Sequence, residues 1–200
     1  PMCSGGVIPK ILSELRTCEK QTNPYMILVG NSATQTNQHF KILQTLERFK
    51  NENIEIVCPL SYGNKEYAEE VINFGKNMFG SKFTPLTDYM DKKTYYRIIA
   101  KASIAIFNND RQQAMGSINA SLGLGCKVFI RTDTPMWEIY YHERKYSIHK
   151  VEDIAQMSFD EFIKNDTDPQ YNWEQYLKST DMDSNVQKWI NVFNSIEERK

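Results

Sequence analysis

The stretch IAIFNNDRQQAMGS, residues 104–117, carries the clearest fold signal, because an apolar run passes abruptly into polar residues and then into helical sequence. Similar short apolar runs recur along the chain, and longer segments with apolar residues three or four apart separate them. This alternation is typical of β-α-β units on a parallel sheet. We therefore predict an α/β fold, a Rossmann-like open parallel sheet with helices on both faces.

The apolar runs locate six predicted strands, at residues 25–29, 54–58, 83–86, 104–107, 127–130 and 146–148. Predicted helices include residues 66–79, 92–101, 111–124 and 135–143, and an earlier helix carries Phe40 and Leu43 on its apolar face. We expect Asn37 to cap that earlier helix and Gly80 to end the one at 66–79.

The predicted organisation has three parts. Residues 1–24 form an N-terminal helix or the remnant of an interdomain connection, and residues 25–150 form the α/β domain. Residues 151–200 supply helices, at 159–164, 173–177 and 186–196, that pack back onto the same domain, since both faces of a parallel sheet must be covered.

Composition excludes several classes of function. The 24 Lys and Arg residues nearly cancel the 25 Asp and Glu residues, so no global field attracts nucleic acid or an anionic membrane. No apolar run approaches the ~20 residues needed to span a bilayer. The four cysteines lack C-x-x-C spacing, which favours a reducing compartment, so we expect a cytoplasmic location.

Ligands of open parallel sheets bind at the carboxyl ends of the strands, so the loops there are the candidate sites. After the first strand, Gly30-Asn31-Ser32-Ala33-Thr34 offers backbone N–H groups to an anion, although an ordinary capped turn is an equally good interpretation. After the second, Tyr62 could stack on a ligand or hydrogen-bond to it, yet a surface tyrosine in a turn also fits.

The loop after the fourth predicted strand is the most informative of the three. Arg111 offers a fork of donors suited to phosphate, Gln112 and Gln113 add further donors, and Gly116 lets a ligand approach the backbone. Polar residues this dense between a buried strand and a helix are costly unless they are satisfied, which favours a binding site.

Other polar residues indicate no metal site. His39, His142 and His149 are scattered without metal-ligand spacing, and we expect them to be exposed or half-buried. Asp166-Thr167-Asp168 and Asp181-Met182-Asp183 have a D-x-D pattern, but both lie in turn-like segments where aspartate caps helices.

The strand-end motifs together resemble those of the TDP-N-acetylfucosamine:lipid II N-acetylfucosaminyltransferases of glycosyltransferase family 56. The resemblance covers about residues 25–143 and leaves the tail after Val151 unmatched. The matching stretches are Ile27-Leu28-Val29-Gly30-Asn31-Ser32 with Asn37 and His39, Pro59-Leu60-Ser61-Tyr62 with Tyr67 and Glu69-Glu70-Val71, Arg111-Gln112-Gln113 with Gly116, and Pro135-Met136-Trp137.

The resemblance implies a GT-B fold, in which a C-terminal Rossmann-like domain holds the nucleotide-sugar donor and an N-terminal one supplies most of the acceptor site. Only the C-terminal half fits this chain, so we expect the N-terminal domain to lie outside it. The implied reaction moves an N-acetylfucosamine-type sugar from a TDP-sugar to a polyprenyl-diphosphate-linked acceptor, with peripheral association of the full-length protein at the inner face of the cytoplasmic membrane.

The predicted site follows from the three loops and the resemblance. Arg111 is the expected catalytic residue, neutralising charge on the leaving diphosphate without a metal ion, and no cofactor is expected beyond the TDP-sugar substrate. The expected donor-binding residues are Gly30, Asn31, Ser32, Tyr62, Arg111, Gln112, Gln113, Gly116 and Ser117.

Three alternatives stay open at the level of sequence. The domain could bind a nucleotide sugar without turning it over, which the lack of an acid-base pair in the loops favours. It could be an epimerase-like GT-B protein. It could also be a flavodoxin-like regulatory or flavin domain, in which strand order and ligand position are similar.

Overall fold

A computed structural model describes residues 7–181 and residue 190. Six parallel strands form one sheet in the order β3-β2-β1-β4-β5-β6. This is the Rossmann order, with its reversal between β1 and β4, and it differs from the flavodoxin order. The strands are β1 (Tyr25–Val29), β2 (Ile54–Pro59), β3 (Phe83–Leu86), β4 (Ile104–Phe107), β5 (Lys127–Ile130) and β6 (His149–Lys150).

The helices cover both faces of the sheet. They are α1 (Val7–Leu15), α2 (His39–Leu46), α3 (Lys65–Phe79), α4 (Lys92–Lys101), α5 (Met115–Gly123), α6 (Pro135–Trp137), α7 (Phe159–Ile163) and α8 (Pro169–Thr180). A π-helical segment, Glu138–Glu143, continues α6. The predicted helix at residues 186–196 lies outside the described residues except at residue 190.

The core divides into two clusters because side chains alternate between the faces of a strand. Leu28 of β1 faces the cluster built with α1, α4, α5 and α8, where Leu12 and Trp173 are buried. Ile27 faces the other cluster, built with α2, α3 and α7, where Val71 and Phe162 are buried. Each fully buried aliphatic side chain stabilises the fold by about 1.5–3 kcal/mol.

Two predicted helix starts are wrong. Gln38, with a φ of 53°, is the N-cap of α2, whereas Asn37 is buried in the 3-10 turn that precedes it. The helix predicted from residue 111 begins only at Met115, after Ala114 with a φ of 60°. Residues 111–114 form a loop instead of the first helical turn, and this loop is hydrogen-bonded to the loop after β1. Gly80 ends α3 with a φ of 58°, as predicted.

The last predicted strand is displaced by three residues. Residues 146–148 do not pair with β5, because the side chain of Asn172 in α8 takes the backbone groups of Ser147. Asn172 Oδ1 accepts from Ser147 N at 2.8 Å, and Asn172 Nδ2 donates to Ser147 O at 3.0 Å. Pairing with β5 begins at His149 instead.

Among the described residues, no helix combines the length and the apolar character that a bilayer span requires.

Candidate functional site

The loop after β1 is shaped around Asn37, which is 1% exposed. Its Oδ1 accepts from Asn31 N at 3.2 Å, while its Nδ2 donates to Ser32 O at 3.0 Å and to Thr34 Oγ1 at 2.7 Å. Gly30 opens the loop with a φ of 69°, the left-handed region that favours glycine. One amide side chain therefore fixes the turn at the carboxyl end of β1.

The loop after β4 is bonded to the same turn. Asn109 is 2% exposed, and its Nδ2 donates to Asn37 Oδ1 at 3.0 Å. The carbonyl of Thr36 accepts from Asp110 N at 2.8 Å, and the Oγ1 of Thr36 donates to Gln113 Oε1 at 2.7 Å. The two loops on either side of the switch between β1 and β4 thus form one polar surface.

The loop after β2 joins this surface through the backbone. Ala33 N donates to Tyr62 O at 2.6 Å, and Asn64 N donates to Ala33 O at 2.8 Å. Gly63, with a φ of 120°, makes the approach possible, since a Cβ there would lie 2.4 Å from Ala33 O. Tyr62 consequently stands beside the loop after β1.

The N-terminus of α5 faces the same edge without a side-chain cap, since its N-cap residue is Ala114. Uncapped N–H groups and the helix dipole favour an anion at such a position. A Cβ on Gly116 would meet no atom within 4 Å, so the space beside this first turn is open. Ser117 is buried, and its Oγ lies 3.0 Å from the hydroxyl of Tyr95.

Two arginines lie at this edge, one without a carboxylate partner among the described residues and one with two. Arg111 is exposed, its Nε donates to Gln113 Oε1 at 3.1 Å, and it forms no ion pair with a described residue. Arg131, which follows β5, is held between Asp110 and Asp133, and these carboxylates raise the pKa of its guanidinium. Arg111 is thus the unpaired guanidinium of this surface.

Several buried polar atoms around these loops have no hydrogen-bond partner among the described residues. Three of them are Asn31 Oδ1, Asn109 Oδ1 and Gln113 Nε2. Buried polar atoms are normally satisfied, and an unsatisfied one costs about 1–3 kcal/mol. Their concentration at one edge indicates a place where an external polar ligand or water completes the bonding.

His39 lies behind the site, contrary to the expectation of an exposed or half-buried histidine. It is fully buried, its Nδ1 lies 3.2 Å from Tyr67 Oη, and burial lowers its pKa to about 4. Its Nε2 is a further buried atom without a partner among the described residues. The imidazole is therefore neutral at physiological pH, and it packs against the turn after β1.

An open cleft adjoins the site on the side of β2 and β3. Its volume is about 300 Å³. The residues that line it are Asn31, Pro59, Ser61, Tyr62, Tyr89, Met90, Lys92 and Tyr95.

The structure brings most of the predicted site residues to one edge. Gln112 is exposed and donates to Met115 Sδ at 3.3 Å, and the hydroxyl of Ser32 lies 3.3 Å from Thr34 Oγ1. Asn109 and Arg131 were not among the predicted site residues. Asn109 lies in the loop after the fourth predicted strand, but its role depends on the contact with Asn37, which the sequence does not show. Arg131 directly follows the fifth predicted strand, and that position at a strand end could have identified it.

No metal site is found in the part of the chain that the structure describes, where no three His, Cys, Asp or Glu side chains are grouped to hold an ion. Asp168 caps α8, as expected, by accepting from Gln170 N and Tyr171 N. Asp166 instead pairs with Lys127 and His149 at the opposite edge of the sheet. Asp183 lies outside the described residues.

Known glycosyltransferase structures share this architecture. A glycosyltransferase from Rickettsia africae ESF-5 matches with a TM-score of 0.68 and 15% identity, over 88% of this chain and 48% of that one. The trehalose-6-phosphate synthase OtsA matches with a TM-score of 0.64 and 9% identity, over 98% and 50%. The pneumococcal O-GlcNAc transferase GtfA, in complex with UDP and GlcNAc, matches with a TM-score of 0.58 and 8% identity, over 87% and 36%.

At identities this low, the structural similarity shows the fold alone. The chain spans half the length of these proteins or less. The chain has the fold of one Rossmann-like half of a GT-B glycosyltransferase. Its residues 8–165 match the family described as 4-alpha-L-fucosyltransferase, glycosyl transferase group 56. The chain therefore belongs to glycosyltransferase group 56.

Proposed function

We propose that this chain holds the nucleotide-sugar donor of a group 56 glycosyltransferase. The full-length protein would transfer an N-acetylfucosamine-type sugar from a TDP-sugar to a polyprenyl-diphosphate-linked acceptor in surface polysaccharide synthesis. Membership of group 56 supports the transfer reaction. Two structures of similar fold contain UDP or a UDP-sugar analogue, which supports a nucleotide sugar as ligand.

One structural observation carries the proposal. The uncapped N-terminus of α5 and the turn at Gly30 lie at the same edge of the sheet, and the loops beside them hold three buried polar atoms without partners among the described residues. Backbone N–H groups at a helix N-terminus bind phosphate well, because the dipole and the free donors act together. We assign the diphosphate to the space between the Gly30–Thr34 turn and the start of α5.

Arg111 is the residue that we expect to act on the leaving group. Sugar transfer leaves negative charge on the nucleoside diphosphate, and a guanidinium can neutralise that charge through two parallel hydrogen bonds. Because Arg111 forms no ion pair with a described residue, its charge is available to the ligand. In this proposal the arginine does the electrostatic work that a divalent metal does in other transferases.

The full-length protein would supply the other components of the reaction. Its N-terminal GT-B domain would supply most of the acceptor site and the general base. The reaction would take place in the cytoplasm, with peripheral association at the inner face of the cytoplasmic membrane, where a lipid-linked acceptor is reachable.

Calorimetric titration of TDP tests the diphosphate assignment. Arg111→Ala should weaken binding by about 10- to 100-fold, since a hydrogen bond to a charged group contributes about 1.5–3 kcal/mol. Arg97→Ala, which removes an exposed arginine of α4, is the matched control and should bind like wild type. Equal affinities for wild type and Arg111→Ala would remove Arg111 from the site. Affinity should also be the same with and without EDTA.

A second experiment separates transfer from binding alone. The full-length protein is incubated with a radiolabelled TDP-sugar and a polyprenyl-diphosphate-linked acceptor, and label in the lipid fraction is measured. Incorporation supports the transferase, whereas tight donor binding without incorporation favours a binding module or an epimerase-like protein.

A further inference from the structure

The carboxylate of Asp110, the residue directly before Arg111, is engaged by two other side chains. Arg131 Nη1 donates to Asp110 Oδ1 at 2.5 Å, and Gln38 Nε2 donates to Asp110 Oδ2 at 2.5 Å. Burial opposes ionisation of this carboxyl, but the two hydrogen bonds outweigh burial, so its pKa lies below the ordinary value. Asp110 is therefore ionised at neutral pH, next in sequence to the guanidinium that we expect to act on the leaving group.

Arg131 is fully occupied by carboxylates. Its Nη1 donates to Asp110, while its Nε and Nη2 donate to Asp133. The side chain of Arg131 is 21% exposed and that of Asp110 is 33% exposed, so water screens this pair only in part. Gln38 follows the turn after β1, Asp110 lies in the loop after β4, and Arg131 directly follows β5. Three strand-end loops thus meet at one carboxylate.

Charge in this cluster is balanced only while Arg131 is present. Asp110 and Asp133 carry two negative charges, Arg131 carries one positive charge, and the field of Lys41 in α2 reaches both carboxylates. Without Arg131, Asp110 would keep its charge and lose its cationic partner. The guanidinium beside it in sequence is that of Arg111, and arginine pairs with carboxylate and with phosphate in the same bidentate geometry. An unpaired Asp110 would therefore compete for Arg111 and repel an anionic ligand.

We propose that Arg131 is a positioning residue for the sugar transfer: it neutralises Asp110 and so keeps Arg111 free to bind the diphosphate. The proposal rests on the proposed function, since it takes Arg111 as the group that binds the leaving diphosphate. Arg131 acts through Asp110 and does not itself touch the nucleotide. Loss of Arg131 alone should consequently weaken donor binding, whereas loss of both charges should not.

Calorimetric titration of TDP into wild type, Arg131→Met, Asp110→Asn and the double variant tests this proposal. We expect Arg131→Met to bind TDP about fivefold more weakly, because a freed carboxylate then competes with the ligand. Asp110→Asn should bind at least as tightly as wild type, and the double variant should return to within about twofold of wild type. The ratio of wild-type to Arg131→Met affinity should shrink at high salt, because salt screens the repulsion.

A matched control removes one positive charge elsewhere. Lys50 forms an ion pair with Glu47 at 3.1 Å and precedes β2, so it lies toward the amino edge of the sheet, away from the candidate site. Lys50→Met should bind TDP as wild type does. Urea unfolding of each variant checks that the chain is folded.

The outcomes separate this proposal from the proposed function. A double variant as weak as Arg131→Met would mean that Arg131 touches the nucleotide or only holds the loop, and would overturn the proposal. Weaker binding by Asp110→Asn would overturn it as well, whether or not Arg131→Met folds. If Arg131→Met binds like wild type while Arg111→Ala binds weakly, this proposal fails and the proposed function stands. If wild type does not bind TDP, both fail.

Discussion

Gly30 lies directly against the imidazole of His39: a Cβ on Gly30 would stand 2.7 Å from His39 Nε2 and 3.0 Å from Asn37 Oδ1. The backbone of Gly30 also has a φ of 69°, which side-chain-bearing residues rarely adopt. The turn at the carboxyl end of β1 therefore depends on glycine for two independent reasons, the backbone conformation and the lack of space.

Gly30→Ala should consequently destabilise the fold and weaken TDP binding. The left-handed backbone costs about 1–2 kcal/mol for a residue with a Cβ, and crowding against His39 costs about 1–3 kcal/mol more. We expect a loss of about 2–5 kcal/mol in the free energy of unfolding, measured by urea titration. An unfolding midpoint equal to that of wild type would show that the turn relaxes freely and that the contact with His39 is unimportant.

Gly116→Ala should weaken TDP binding without destabilising the fold. A Cβ on Gly116 meets no atom within 4 Å, and alanine in place of glycine favours a helix by about 0.5–1 kcal/mol. The melting temperature should therefore stay the same or rise. If the diphosphate approaches the first turn of α5 as proposed, the added methyl group should nevertheless weaken TDP binding. A stable variant with wild-type affinity would move the diphosphate away from this turn.

The strands were predictable because their signal is local. The first, third, fourth and fifth predicted strands agree with the structure. The first, fourth and fifth are buried, and a buried parallel strand is a short continuous apolar run. The displaced strand at residues 146–148 shows the limit of that signal. Its apolar residues are buried, but the hydrogen bonds of Ser147 go to Asn172, 25 residues further along the chain.

The site was harder to predict because its polar side chains act over long sequence separations. Asn37 matches the pattern of a helix cap, yet its side chain bonds Asn109, 72 residues away, and the turn before it. The residues before Met115 match a helical pattern, but bonds between Thr36 and the loop after β4 hold them out of the helix. The strand ends are encoded locally and could be predicted, whereas the bonds between the loops depend on the three-dimensional fold.

Lys127 is a buried cation that the apolar strand pattern did not reveal. It is 1% exposed, and its Nζ donates at 2.8 Å to the carbonyls of Glu161 and Lys164 and lies 3.2 Å from Asp166 Oδ1. It therefore joins the amino end of β5 to the C-terminal end of α7, whose last carbonyls need donors.

Lys127→Met should destabilise the protein by about 1–3 kcal/mol, because it keeps the apolar stem and leaves the carbonyls of α7 without a donor. Urea unfolding measures the effect. TDP affinity should not change, since β5 begins at the edge of the sheet opposite the candidate site. A variant as stable as wild type would mean that water replaces the ammonium group fully, and a loss of TDP affinity would contradict the assignment of the site to the carboxyl edge.

The buried His39 should make stability depend on pH in a defined window. Burial lowers its pKa from the ordinary 6.5 to about 4, so between these values the unfolded chain binds the proton and the folded protein does not. The contribution of the neutral His39 to the free energy of unfolding is complete above pH 6.5. It is lost as the pH falls toward 4, by up to about 3 kcal/mol.

We expect His39→Gln to have a shallower dependence of unfolding free energy on pH than wild type in that window. His149, whose pKa burial also lowers, and all carboxylates are common to both proteins, so the difference between the two slopes isolates His39. Parallel slopes would show that His39 is protonated in the folded state and that the turn above it accommodates the charge.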